Sequence, residues 1–482
     1  MVPGTRSDHS AYSLNLDNPT AMTEPIASSI KGAPAQSISD SAELSIPDKA
    51  PDWFDWILRA AIVLALTAIV IVTFRGRVFE PLLRSATLHD WAHVVVRPSI
   101  IWILMGTVLL VFRTMLWFSY RPFASATKAN APRLTVVIPA YNEGAMVEHT
   151  IDSVAAADYP RDRLEIFVVD DGSRDDTWEH IQRAAQRHPN VVTTLQFPEN
   201  RGKRAALAAG FRRARGEVVV TIDSDCAIEK TTLLAITGPF REPSVGAVAG
   251  KVSVYNRRKG LIPRMLHTRF TLSFDMLRAI QSTYRTVYCC PGALSAYRLS
   301  VVRQVLDRWE SQSFLGAPST YGEDRSMTNF VLDAGYDTVY QQSAVVHTLV
   351  PETYKKLCKM YLRWDRSYIR EELRFALIVW KRPLKSMLMS FVDSTITNLR
   401  YPVGYAILAL FILTTISEPS AFLRMMLAIC VMASFYMLYY LRSERSWDIV
   451  YGVLYAYFSF FALFWIFPYA LLTVRSRGWL TR

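Results

Sequence analysis

Val218-Val219-Val220-Thr221-Ile222, followed at once by Asp223-Ser224-Asp225, is the stretch that decides the fold of this chain. An unbroken β-branched run reads as a strand buried on both faces, hence a sheet with parallel strands covered by helices. Open α/β sheets bind ligands at the carboxyl ends of their strands. Side chains at i and i+2 of an extended segment point the same way. Asp223 and Asp225 are therefore candidate ligands for Mg²⁺ or Mn²⁺, which takes a few carboxylate oxygens and leaves other positions to phosphate. Alone, such a triplet would equally be an acidic turn.

It does not stand alone. Leu134-Thr135-Val136-Val137-Ile138-Pro139 reads as a strand, Ala140-Tyr141-Asn142-Glu143-Gly144 as a turn, and 145–157 as a helix. Ile166-Phe167-Val168-Val169 then ends in Asp170-Asp171-Gly172-Ser173. This is a βαβ unit with polar residues at each strand end. Neither a dinucleotide nor a P-loop glycine pattern is present, which argues against hydride transfer and ATP hydrolysis. Carboxylates crowd this edge instead, as recognition of ribose, uracil and a metal-bound diphosphate would require. Further on, Gly322-Glu323-Asp324-Arg325 precedes an apolar helical run, so Asp324 is either a helix cap or a base placed at a helix amino terminus.

The rest of the chain points to a membrane. Of 482 residues, 51% are hydrophobic and 20% charged, with 12 Trp. The apolar stretches 53–74 and 98–120 are long enough to span a bilayer. They carry Arg59 and Arg113, which either snorkel or face a partner helix. Trp102, Trp117 and Tyr120 suit an interface. Apolar stretches return at 401–416, 421–441 and 449–474. Segments 260–283 and 354–380 are amphipathic, and the second, basic and aromatic, fits a membrane interface. The net charge of +12 is assigned to these flanks and to an anionic substrate, not to nucleic acid. Five scattered cysteines and eight histidines give neither a disulfide framework nor a zinc pattern.

The expected organisation is a disordered tail at 1–50, two transmembrane helices within 51–122, an α/β domain at 130–350, amphipathic interface helices at 351–398, and a carboxyl-terminal membrane region at 399–482. Pro468 permits a break in the last stretch, which is expected to bend or re-enter.

Pro139-Ala140-Tyr141-Asn142-Glu143, Asp170-Asp171-Gly172-Ser173, Gly202-Lys203-Arg204, Asp223-Ser224-Asp225, Gly322-Glu323-Asp324-Arg325 and Arg363-Trp364 occur in this order. In that order they resemble membrane-embedded family 2 glycosyltransferases, above all the hyaluronan synthases and the rhizobial nodulation chitin-oligosaccharide synthases. The resemblance runs from about 132 to 482. It implies a GT-A-like mixed-sheet domain, cytosolic and inserted between membrane helices of a multi-pass inner (plasma) membrane protein. It implies a processive, inverting β-glycosyltransferase that polymerises UDP-sugars and secretes the product. N-acetylglucosamine would be the donor sugar, with glucuronate as a second one in the hyaluronan branch. Transfer of one sugar to a lipid carrier, or an inactive sugar-nucleotide sensor, are the rival readings.

Carried onto these residues, the resemblance makes Asp324 the base, Asp225 the more direct metal ligand, and Asp223 a ligand to metal or ribose. Tyr141, Glu143, Asp171 and Lys203 would line the nucleotide pocket, with Lys203 meeting uracil or phosphate. Arg363 suits a diphosphate and Trp364 an acceptor sugar; interfacial anchoring is the alternative for each. Met360 stands where the related synthases carry Gln. Cys289 matches a cysteine of their acceptor region and equally suits a buried structural thiol. Gly478-Trp479-Leu480-Thr481-Arg482 resembles the closing motif of hyaluronan synthases with Leu480 in place of glycine. Trp479 and Arg482 would there gate the diphosphate; otherwise they are an interface Trp and a terminal charge.

Overall fold

The computed structural model describes residues 52–75, 98–417 and 419–476. The tail at 1–50, the side chain of Arg59, and Trp479 with Arg482 lie outside the described residues.

Among the described residues two helices come first, α1 (Asp52–Arg75) and α2 (Pro98–Ser119). The α/β domain follows with β1 (Leu134–Ala140), α3 (Met146–Ala155), β2 (Leu164–Asp170), α4 (Thr177–Arg187), β3 (Val192–Gln196), α5 (Lys203–Arg213), β4 (Val218–Ile222) and β5 (Cys226–Ile228). It continues with α6 (Thr232–Thr237), β6 (Val245–Val254), α7 (Leu261–Phe270), a π-helical turn (Thr271–Met276), α8 (Leu277–Thr283), β7 (Leu294–Arg298) and α9 (Leu299–Glu310). The small hairpin β8 (Ser313–Phe314) and β9 (Ala317–Pro318) leads to α10 (Glu323–Asp333) and β10 (Asp337–Thr348). Five α-helices complete the described residues: α11 (Tyr354–Ile378), α12 (Leu384–Ser417), α13 (Ser420–Glu444), α14 (Ile449–Phe458) and α15 (Ile466–Leu472).

Eight strands form one mixed sheet in the order β3-β2-β1-β4-β7-β6-β10-β5. β1 pairs in parallel with β2 and β4, while β7 runs antiparallel to β4 and β6. The β-branched runs are where they are because both faces are covered. Val136 and Ile138 of β1 join one core with Val147 and Ile151 of α3; Val137 joins another with Leu207 and Phe211 of α5. Alternate residues of one strand thus feed opposite layers, which only an apolar-throughout sequence allows. The strand expected at 218–222 and the βαβ unit before it form at those places, within about two residues.

The amphipathic segment at 260–283 becomes α7, the π turn and α8. It is an internal layer, with Met265, Leu266, Phe270 and Met276 buried between the sheet and the later helices. The apolar stretch expected from 401 starts earlier. α12 is one helix of 34 residues, so the division at 398 falls inside it. Among the described residues two helices are long and apolar enough to cross a bilayer, Leu384–Leu413 and Met425–Glu444; a third span results if the bent pair Ile449–Leu463 and Ile466–Leu472 is one crossing.

That pair bends by 44°, and the reason is local. Pro468 has no N–H to give to the carbonyl of Phe464; the hydroxyl of Tyr405 on α12 donates to that carbonyl instead, at 2.9 Å. Beyond the bend the chain returns to the α/β domain. Arg366 of α11 donates to the Thr473 hydroxyl at 2.8 and 3.1 Å, and the Tyr321 hydroxyl donates to the Ser476 carbonyl at 3.0 Å.

Trp117 and Tyr120 serve packing, not an exposed interface. Trp117 is buried edge-on against Tyr439 with Arg442 over its face, and the Tyr120 hydroxyl donates to the Tyr340 carbonyl. Arg113 faces a partner helix: its Nε donates to Asp393 of α12 at 2.9 Å and a terminal nitrogen to Thr397 at 2.7 Å. The other Asp393 oxygen accepts from the Tyr284 hydroxyl at 3.2 Å.

Breaking this buried pair strands a charge. Arg113→Ala is expected to lower stability by about 3–5 kcal/mol, read as thermal unfolding of purified protein in detergent. Adding Asp393→Ala should cost much less than its single change does. An Arg113→Ala protein as stable as the parent would contradict the role given to the pair.

Candidate active site

The site is assembled where β2, β1 and β4 end side by side. Register pairs Ala140 with Asp170 and Val137 with Thr221, so Tyr141, Asp171 and Asp223 emerge on one edge. The two loops are tied together. Asn142, at φ 53°, donates its N–H to the Ser173 hydroxyl, and the backbone of Glu143 and Gly144 donates to the Thr177 hydroxyl. Asn tolerates this left-handed geometry better than most residues.

Asp171 is engaged in building the wall of the site. Its carboxylate accepts from the N–H groups of Arg201 and Gly202 at 2.7 and 2.9 Å and from the Asn200 amide at 2.9 Å. Burial pushes its pKa up to about 6 even though those N–H groups pull the other way. This latch fixes the loop that starts α5, and with it Lys203.

Lys203 makes the central contact. Its Nζ lies 2.5 Å from Asp223 Oδ1 and 3.0 Å from Glu323 Oε1. Burial alone would lower the Lys203 pKa, but the charges of Asp223 and Glu323 overcome it and raise the value. Glu323 shows the reciprocal effect: burial pushes it up, and Lys203, with a contribution from Arg363, brings it below the usual carboxylate range. Both residues are therefore charged, and the first turn of α10 is pinned to the end of β4.

Asp324 follows directly. One carboxylate oxygen accepts from the Gly292 N–H at 3.1 Å and lies 3.6 Å from the Cys289 thiol; the other accepts from the Arg325 N–H at 2.7 Å. Burial, then the negative charge of Glu323, raises its pKa. Burial and Asp324 together push Cys289 well up, keeping it a thiol that donates to the carboxylate. Gly322 makes this arrangement possible. It sits at φ 73°, and an added Cβ would collide with Ser367 of α11, so glycine lets α11 close over the motif.

Asp225 is buried at the entrance to β5, accepting from the Cys226 thiol at 3.3 Å. Among the described residues no three His, Cys, Asp or Glu side chains converge on a metal position. Two carboxylates still fit Mg²⁺ or Mn²⁺, since such ions are commonly held by one or two protein ligands plus substrate phosphates.

The structure thus brings Asp223, Lys203, Asp324 and Cys289 together and sets Arg363 close enough to act on Glu323. Trp364 sits in an aromatic cluster, its ring 6.0, 6.2 and 5.6 Å from those of Phe270, Phe274 and Tyr361. Sequence reasoning gave no role to Glu323 or Gly292. The acidic pair in Gly322-Glu323-Asp324-Arg325 was the available signal for the first, while a backbone donor such as Gly292 has no side-chain signal at all.

The comparisons agree with this geometry. The Glycosyl transferase family 2 profile matches residues 135–306. An N-acetylglucosaminyltransferase of Azorhizobium caulinodans is 35% identical over 241 residues, 50% of this chain and 60% of that one. One from Rhizobium meliloti is 36% identical, again over 50% of this chain and 56% of its own length. The chain thus matches less than two thirds of these relatives. A hyaluronan synthase of Streptococcus pyogenes is 31% identical over 380 residues, 77% of this chain and 88% of that one. A mannosyltransferase from Pyrobaculum calidifontis, solved with GDP-Man and Mn²⁺, superposes with a TM-score of 0.54 at 23% identity over 74% of this chain and 98% of that one, which establishes the GT-A-like sheet. With a relative above 30% identity matched over most of its length, the chain belongs to glycosyl transferase family 2.

Proposed function

We propose that this protein is a processive, inverting β-glycosyltransferase that polymerises UDP-sugars, with UDP-N-acetylglucosamine as donor, at the cytoplasmic face of the inner (plasma) membrane. It passes the growing polysaccharide through its own membrane helices. One observation carries this reading. From Asp324 a series of side chains, Cys289, Arg278, Arg325, Tyr368, Trp364 and Tyr361, leads toward α12 and α14. Each keeps some accessible surface, and printed contacts tie the series to those helices: the Tyr368 hydroxyl donates to Asn398 of α12 and the Tyr361 and Tyr455 hydroxyls meet at 2.7 Å. We read this partly exposed series as the acceptor's route. An acceptor path joining the base to membrane helices serves a polymerase and has no use in transfer of one sugar to a lipid or in a sensor.

In the reaction the acceptor hydroxyl oxygen bonds to the anomeric carbon, the bond from that carbon to the diphosphate breaks on the opposite face, and the hydroxyl proton passes to Asp324. The Gly292 and Arg325 N–H groups and the Cys289 thiol aim the carboxylate. Its raised pKa makes it a stronger base than an ordinary aspartate. Tyr141 would stack on uracil while Glu143 takes base or ribose hydrogen bonds; Asp171 holds the facing loop. Arg363 can grip the diphosphate with paired hydrogen bonds, and Trp364 can stack on the acceptor. A divalent cation held by Asp225 and Asp223 would supply charge neutralisation at the leaving diphosphate.

Three results are expected. Asp225→Asn should abolish transfer with the fold intact, because a neutral ligand does not balance diphosphate charge; metal-dependent turnover retained in that variant would remove Asp225 from the site. Asp324→Asn should cost roughly 10²–10⁴-fold in rate while UDP-sugar binding stays near normal. Only the ionised carboxylate accepts a proton, so in the parent protein the acid limb of the rate profile should lie above the ordinary aspartate range. Loss of binding in step with rate would make Asp324 a structural cap. Trp364→Ala should shorten the product by removing a stacking platform of about 0.5–1.5 kcal/mol, and an unchanged length distribution on sizing gels would exclude it from acceptor binding.

A further inference from the structure

Asp275 is 2% exposed on the π-helical turn Thr271–Met276, and no step of the chemistry above uses it. Four side chains converge on its carboxylate. One oxygen accepts from the Tyr340 hydroxyl at 3.0 Å and the Gln342 amide at 3.2 Å, both on β10. The other accepts from the Ser443 hydroxyl in the last turn of α13 and lies 3.4 Å from Lys251 Nζ on β6. Lys251 also reaches Glu444 of α13, at 2.8 Å. A buried acid held from β6, β10 and α13 at once fixes its own turn between the sheet and the end of a membrane helix.

The other side of the same turn is aromatic. Phe270 ends α7 and Phe274 directly precedes Asp275; their rings lie 4.9 Å apart, and both flank Trp364 of α11, at 6.0 and 6.2 Å. The guanidinium of Arg278, in the first turn of α8, sits 5.7 Å from the Phe274 ring. Trp364 and Arg278 both belong to the series that leads away from Asp324. A π-helical turn is a rare winding that recurs at functional sites. On this one consecutive residues face two ways: Asp275 toward β6, β10 and α13, Phe274 toward α11.

We propose that Asp275 is a positioning residue for the acceptor: through the π turn it seats Phe270 and Phe274 against Trp364, so that the end of α13 sets where this aromatic wall stands. The proposal rests on the acceptor role given to Trp364 above. Asp275→Asn keeps the size of the side chain and leaves an oxygen for Tyr340 and Gln342, but it turns amide hydrogens toward Lys251 and Ser443. Donors then face a cation in a buried setting, and the turn loses its hold on β6 and α13. Asp324 and the nucleotide pocket are not touched by the change.

The test uses the full chain reconstituted in phospholipid, with UDP and a tetrasaccharide of β-linked N-acetylglucosamine as calorimetric ligands, and the product sized on gels. Asp275→Asn should weaken tetrasaccharide binding about tenfold and shorten the product, with UDP binding within about twofold of the parent. Loss of folded protein alone would lower the number of binding sites and leave affinity and product length as they were. Adding Asp275→Asn to Phe274→Ala should weaken tetrasaccharide binding by less than about twofold beyond Phe274→Ala, because both changes act on one wall. Should Asp275→Asn fail to fold, Ser443→Ala removes a single hydrogen bond and should move tetrasaccharide binding the same way, by about threefold. Parental tetrasaccharide affinity and product length in the variant that folds, full additivity with Phe274→Ala, or an equal loss of UDP binding would each overturn the proposal. If Trp364→Ala weakens tetrasaccharide binding and Asp275→Asn does not, this proposal falls alone. If the parent binds UDP and not the tetrasaccharide, the acceptor path falls, and the polymerase reading with it.

Discussion

The contact between Lys203 and two carboxylates, Asp223 and Glu323, organises the catalytic half of this molecule. The residues come from three elements far apart in sequence: the first position of α5, the end of β4 and the first turn of α10. Placing three charges out of water is costly unless each is matched. Here the single cation holds Glu323 in its charged form while also pairing with Asp223, and the neighbouring Asp324 is left as the carboxylate whose proton affinity rises. One ion triad thus positions Asp324, the proposed base, and tunes it. The latch of Asp171 on the loop at 200–202 supports this from below, because it fixes where α5 begins.

Much of this was legible in the sequence where the signal was local. The run from Val218 to Ile222 is apolar at every position because the strand is covered on both faces. The acidic residues that close it mark the ligand edge, and the βαβ unit from Leu134 to Asp170 follows from the same logic. What could not be read were pairings between distant elements. Lys203 was expected at uracil or phosphate, and its ion pairs with Asp223 and Glu323 depend on how α10 docks, which no spacing rule reports. The amphipathic pattern at 260–283 fits a membrane surface as well as an internal layer, since both ask for one apolar face; its burial follows from strands and helices that close over it from either side.

The carboxyl-terminal bend links the membrane helices to the chemistry. Proline and a π-helical turn interrupt the last apolar stretch, and the freed Phe464 carbonyl finds the Tyr405 hydroxyl. An interruption inside an apolar region is tolerable only when such a partner is available. The chain then reaches Ser476 against Tyr321, two residues before Glu323. The described part of the chain therefore ends at Ser476 beside this motif.

The Arg113–Asp393 pair bears on how the protein is made. The two residues are 280 positions apart, so at ordinary synthesis rates of roughly 5–20 residues per second the arginine exists for on the order of tens of seconds before its acid does. A buried guanidinium without its acid is costly. Until α12 is complete, Arg113 keeps its charge only where water still reaches it. The whole α/β domain is translated in that interval and can fold while the first helices are still provisional. Arrival of Asp393 then fixes α2 against α12, so this contact closes only after the α/β domain between them has been made.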